Sequence, residues 1–112
     1  MTIMELNEYQ NLAKMTRNDS QGIEMERANY GLGLGEAGEL QNIVKKNVFH
    51  GHDLERTKAE VLDESGDVMW YLAMPNETYG ITLEEVAQHN IAKLRRRYPE
   101  GFSKEASQNR VV

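Results

Sequence analysis

The chain has 112 residues, enough for one domain but with a core that would gain from a partner chain. Its 13 Lys and Arg against 18 Asp and Glu give a formal net charge of -5, which repels a nucleic-acid backbone and argues against general nucleic-acid binding. With no cysteine, disulfides and thiolate metal sites are excluded, and no apolar run approaches the roughly 20 residues of a membrane span.

The N-terminal MTIMELNEYQ lacks the basic flank and long apolar core of a secretory signal, so a soluble cytoplasmic protein is expected. Proline occurs only at positions 75 and 99 and β-branched alternation is scarce, which predicts an all-α, four-helix bundle-type fold. The first helix is predicted over residues 3–17, with Leu6, Tyr9, Leu12 and Ala13 on one side, followed by a turn through Asn18, Asp19, Ser20 and Gly22. The second is predicted over 24–49, stopped by His50-Gly51-His52. Glycines 31, 33 and 35 weaken its middle by roughly 1 kcal/mol each relative to alanine, and Gly35 and Gly38 are expected to admit a close neighbouring backbone.

Asp53 is a candidate N-cap for a third helix reaching Met74, where Pro75 should end or kink it because proline lacks the N–H that would bond Tyr71. Residues 76–80 form the connection. Thr82 followed three residues later by Glu85 reads as a capping box for a fourth helix, which runs to Tyr98 before Pro99 and Gly101. Residues 1–102 thus make one helical domain, and residues 103–112, with little to bury, are expected to be a flexible tail.

Two acidic pairs, Glu36/Glu39 and Glu64/Asp67, each lie three residues apart within apolar helical stretches. That spacing puts both members of a pair on one helix face, and two such helices side by side would aim four carboxylates at one point. Such a cluster repels itself unless a cation is bound, and oxygen ligands favour Mg²⁺, with Mn²⁺ as a substitute, completed by water and phosphate oxygens. On the third helix Glu60, Glu64, Asp67 and Tyr71 form one stripe bordering the apolar residues, so its acids should be partly desolvated. Leu32, Glu36, Glu39 and Ile43 share a face in the same way. The fourth helix carries Asn90, Lys93 and Arg97 on one stripe, suited to polyphosphate oxygens, while Arg95 and Arg96 point away. Trp70 and Tyr71 are candidates for stacking on a base, although aromatics at helical spacing more often belong to a core. A di-iron bundle is the architectural competitor, but it uses Glu-x-x-His, and His50, His52 and His89 all lie off the acidic stripes.

The ExxE of Glu36/Glu39, the ExxD of Glu64/Asp67 about 25 positions on, the GDVMWYLA segment and the closing NIAKLRRRYPEGF resemble the MazG-like, all-α nucleoside triphosphate pyrophosphohydrolases over roughly residues 25–102. The resemblance implies a four-helix core completed as a homodimer or dimer of dimers, Mg²⁺ dependence, and hydrolysis of a nucleoside triphosphate to monophosphate and pyrophosphate, a nucleotide-pool house-cleaning reaction. Glu36, Glu39, Glu64 and Asp67 would then hold the metal, a carboxylate of the Glu36/Glu39 pair would take the proton from the attacking water, and Asn90, Lys93 and Arg97 would hold the phosphates. Ser65 and Pro75 depart from the family pattern, which bears on local packing and the substrate pocket rather than on the carboxylates. The alternative from another class is a catalytically silent helical interaction module on the same scaffold.

Overall fold

A computed structural model describes residues 3–109, and helix covers the stretches expected from the sequence, with altered boundaries and with the expected second helix divided. Helix α1 spans Leu6–Ala13 and continues into a 3₁₀ turn, Lys14–Thr16; α2 spans Ile23–Gly33; a second 3₁₀ turn, Leu34–Glu36, leads into α3, Ala37–His50. Helix α4 is the longest, Leu54–Thr78, followed by α5, Leu83–Arg97, and a short α6, Lys104–Gln108. No strand is found among the described residues.

Helix α4 is the hub, packed by α1, α2, α3 and the 34–36 turn, whereas the main partner of α5 is α1. The core sits toward the C-terminal half of α4, where Ala73 and Met74 are wholly buried beside Ala13, Tyr30 and Leu83, with Tyr9 and Trp70 packed against them. Gln10 is also buried there. Its Nε2 donates to Glu77 Oε2 at 3.0 Å and to the Ile81 carbonyl at 2.9 Å, and its Oε1 accepts from the Leu83 N–H at 2.7 Å. One amide thereby satisfies groups at the α4–α5 junction that burial would otherwise orphan. The sequence signal for it was a polar interruption of the Leu6–Ala13 stripe.

The first helix is shorter than the predicted 3–17, and three further boundaries differ from the sequence reading, each for a physical reason. The stretch 24–49 is not one helix but α2 and α3 separated by the 3₁₀ turn, at the point where glycine is densest. Pro75 neither ends nor borders α4, which runs three residues beyond it. The helix is held through this point by the wholly buried Ala73 and Met74, and Asn76 Nδ2 donates to the Leu72 carbonyl at 2.8 Å beside the Tyr71 carbonyl that proline leaves without its helical donor. In the predicted tail, Ser103 Oγ accepts from the Ala106 N–H at 3.0 Å and caps α6, while residues 110–112 lie outside the described residues. Gly35 and Gly38 have no atom within 4 Å of an added Cβ, so neither admits a close neighbour within the chain.

Both expected N-caps form. Asp53 Oδ2 accepts from the Arg56 N–H at 3.0 Å, and Thr82 Oγ1 accepts from the Glu85 N–H at 3.1 Å. Replacing Thr82 by alanine is expected to cost about 1 kcal/mol, read as a lower urea midpoint at unchanged slope. Gly51, at φ +69°, ends α3 in the left-handed conformation that favours glycine.

Candidate metal centre

The 3₁₀ turn places Glu36 at the N-cap of α3, facing the middle of α4. There a carboxylate oxygen from each of Glu36, Glu64 and Asp67 lies within 4.8 Å of the others. Glu36 and Glu64 are half-buried and Asp67 is exposed, so the cluster opens to solvent on one side. Glu64 Oε2 is shielded from solvent and has no hydrogen-bond partner. Burial raises the Glu64 carboxyl above its ordinary value, reinforced by the charges of Asp67, Glu36, Asp63 and Glu39. A shielded, unpartnered carboxylate oxygen among like charges is an unfavourable arrangement in the free protein, and a divalent cation would compensate it.

The donor set fits Mg²⁺. It is all oxygen, it contains no histidine, and three carboxylates leave positions for water and phosphate in an octahedral shell. Glu39 stands apart from the trio. It is exposed, near enough to act electrostatically on Glu64 but outside the set of converging oxygens. Glu60 is turned to another partner, accepting from Arg56 Nε at 2.8 Å.

The other candidate residues fall in separate places. Asn90, Lys93 and Arg97 ride on α5, whose chief neighbour is α1, and Asn90 lines a surface cavity with Asn76, Ile81, Glu85, Val86 and His89. Trp70 meets Tyr30 edge-on at 5.2 Å between centroids and Tyr71 at 5.1 Å, and its Nε1 donates to Thr16 Oγ1 at 2.9 Å. Both candidate stacking rings are thus engaged within the chain. His50 and His52 lie at the C-terminal end of α3, away from the acids, and His89 lies on α5.

Two residues at the site were missed in the sequence reading. Tyr9, on α1, has its hydroxyl pushed up first by burial and then by the negative charge of Asp67, so the N-terminal helix borders the acidic cluster. The other is Gly33, where an added Cβ would overlap the ring of Tyr71. Neither carried a sequence signal, since both act through contacts distant in the chain.

Residues 26–102 match the family model of the MazG nucleotide pyrophosphohydrolase domain, which leaves α1 outside the match. The chain is also similar to the Gene 37 protein of Mycobacterium phage L5, with 35% identity over 80 residues that cover 69% of each chain. No solved structure matches it significantly. With the matched segment spanning α3, α4 and α5 and all three converging carboxylates, the chain belongs to the MazG nucleotide pyrophosphohydrolase domain family.

Proposed function

We propose that the protein hydrolyses nucleoside triphosphates at the bond between the α and β phosphates, adding one water and releasing a nucleoside monophosphate and pyrophosphate. The observation that carries this reading is the convergence of Glu36, Glu64 and Asp67, with the orphaned Glu64 oxygen, in a chain of this family. Glu36, Glu64 and Asp67 would hold Mg²⁺, with Mn²⁺ as substitute, and Glu39 would stand outside that set. A bound Mg²⁺ supplies charge to offset the phosphate oxygens and allows water to act as nucleophile near neutral pH. Glu39, exposed and outside the trio, accepts the proton from the attacking water. Lys93 and Arg97 would supply charge, and Asn90 an amide, to phosphates that extend from the trio toward α5. The role suits nucleotide-pool house-cleaning in the cytoplasm, and no helix among the described residues is long and apolar enough to cross a membrane. With a nucleoside triphosphate and Mg²⁺, turnover is expected and should vanish in EDTA. Turnover that ignores the chelator would remove the metal from the reaction.

The same proposal includes a second copy of the chain. A compact monomer of this mass exposes about 6,300 Å², whereas this chain exposes 8593 Å². Its radius of gyration of 17.2 Å likewise exceeds the roughly 13 Å of a compact chain of this length. Exposed side chains include Leu32, Val48, Phe49 and Leu62, all more than 60% accessible. The surplus surface exceeds the roughly 800 Å² per partner of an ordinary stable interface, so a homodimer, or a dimer of dimers, accounts for it. Light scattering on a size-exclusion column should give at least twice the 12.8 kDa chain mass. A monomer at micromolar concentration would rule this out.

A further inference from the structure

The sequence offers several glycines around the first acidic pair and no means of choosing among them. The structure separates them sharply. A Cβ added at Gly31, Gly35 or Gly38 meets nothing within 4 Å, whereas one added at Gly33 would overlap Cε1 and Cδ1 of Tyr71 and stand 2.8 Å from Cζ. The ring has little room to retreat. Trp70 meets Tyr71 edge-on, Trp70 is itself held by Tyr30 and by the hydrogen bond to Thr16, and Ala73 and Met74 just beyond are wholly buried.

The two partners occupy telling places. Gly33 is the last residue of α2 and leads directly into the 3₁₀ turn that delivers Glu36. Tyr71 lies on α4 one turn beyond Asp67 and two beyond Glu64, on the same stripe. The depth to which the ring enters the notch at Gly33 therefore sets the separation between the turn carrying Glu36 and the helix carrying Glu64 and Asp67. We propose that the Gly33–Tyr71 contact is the positioning device that brings the three carboxylates together, with Gly33 and Tyr71 acting on the metal only through the placement of Glu36. This rests on the metal-site reading above.

Mn²⁺ titration followed by the EPR signal of the free ion tests it without any need for turnover. Gly33→Ala should bind Mn²⁺ about tenfold to a hundredfold more weakly than the unaltered protein, the range found when residues supporting metal ligands are changed. Gly31→Ala and Gly35→Ala make the same change in helix propensity without the collision, and should bind as the unaltered protein does. If Gly33→Ala fails to fold, as judged by circular dichroism, Tyr71→Ala decides: it removes the ring without adding an atom, and should weaken Mn²⁺ binding similarly. A folded Gly33→Ala, or Tyr71→Ala, with unchanged Mn²⁺ affinity overturns the positioning role alone, as does equal weakening in Gly31→Ala and Gly35→Ala. Absence of Mn²⁺ binding by the unaltered protein overturns this inference and the metal site together.

Discussion

Glu64→Gln and Asp67→Asn are each expected to reduce Mg²⁺-dependent turnover about a hundredfold or more, the scale of losing one preorganised electrostatic group at a reacting centre. Both should also weaken Mn²⁺ binding. Stability should move the other way. Ionised Glu64 is disfavoured in the native state, because its oxygen is shielded and three neighbouring acids and Asp63's charge all oppose it. A carboxyl whose native pKa is raised destabilises the fold above that native value and not below its ordinary value of 4.5. Above the raised value the penalty is present in the unaltered protein, and glutamine never carries it. In EDTA, Glu64→Gln should therefore melt above the unaltered protein at pH 7, and this advantage should shrink as pH falls through the raised value. Thermal scans in EDTA at a series of pH values read this directly. A lower melting temperature for Glu64→Gln at pH 7 would mean that the carboxylate supports the fold instead of straining it.

Met74→Ala should give the largest loss of stability, with the opposite signature. Met74 is the one large side chain fully shielded among the described residues, and it lies at the junction of α4 with α1 and α5. Truncating such a side chain costs about 2–5 kcal/mol, from lost burial and from the cavity left behind. For a protein of this size, that is a fall in melting temperature of roughly 10 °C or more. Met74 lies beyond the metal stripe, so under conditions where the variant is folded its Mn²⁺ affinity should stay near that of the unaltered protein. A loss of less than about 0.5 kcal/mol would show that the site collapses freely around the smaller residue. The two substitutions then separate the groups that hold the fold from those that strain it.

What could be read from the chain was what is decided locally. The caps at Asp53 and Thr82 depend on a side chain and a backbone N–H three residues away, and both form as the sequence predicted. The acidic pairs were visible because helical spacing alone places Glu64 beside Asp67. Across Glu36 and Glu39 that spacing does not run unbroken, since residue 36 ends a 3₁₀ turn and residue 39 lies in the first turn of α3. Glu39 accordingly stands outside the trio. The break falls where glycine is densest, and Tyr71 meets Gly33 at its edge, a contact between residues far apart in sequence. The continuation of α4 past Pro75 was missed for a related reason: the lost hydrogen bond is a local fact, while the burial of Ala73 and Met74 beside it is a tertiary one. The place of α5, packed chiefly on α1, likewise follows from Gln10, whose bonds to Ile81 and Leu83 fix the start of α5 and whose third bond, to Glu77, ties that junction to α4.

The central claim is tested most directly by ³¹P NMR of the products formed from a panel of ordinary, deoxy and damaged nucleoside triphosphates in the presence of Mg²⁺. The account predicts equal amounts of nucleoside monophosphate and pyrophosphate from at least one substrate, with no orthophosphate at early times and no reaction in EDTA. Orthophosphate as the sole inorganic product, or no Mg²⁺-dependent turnover across the panel, would contradict it.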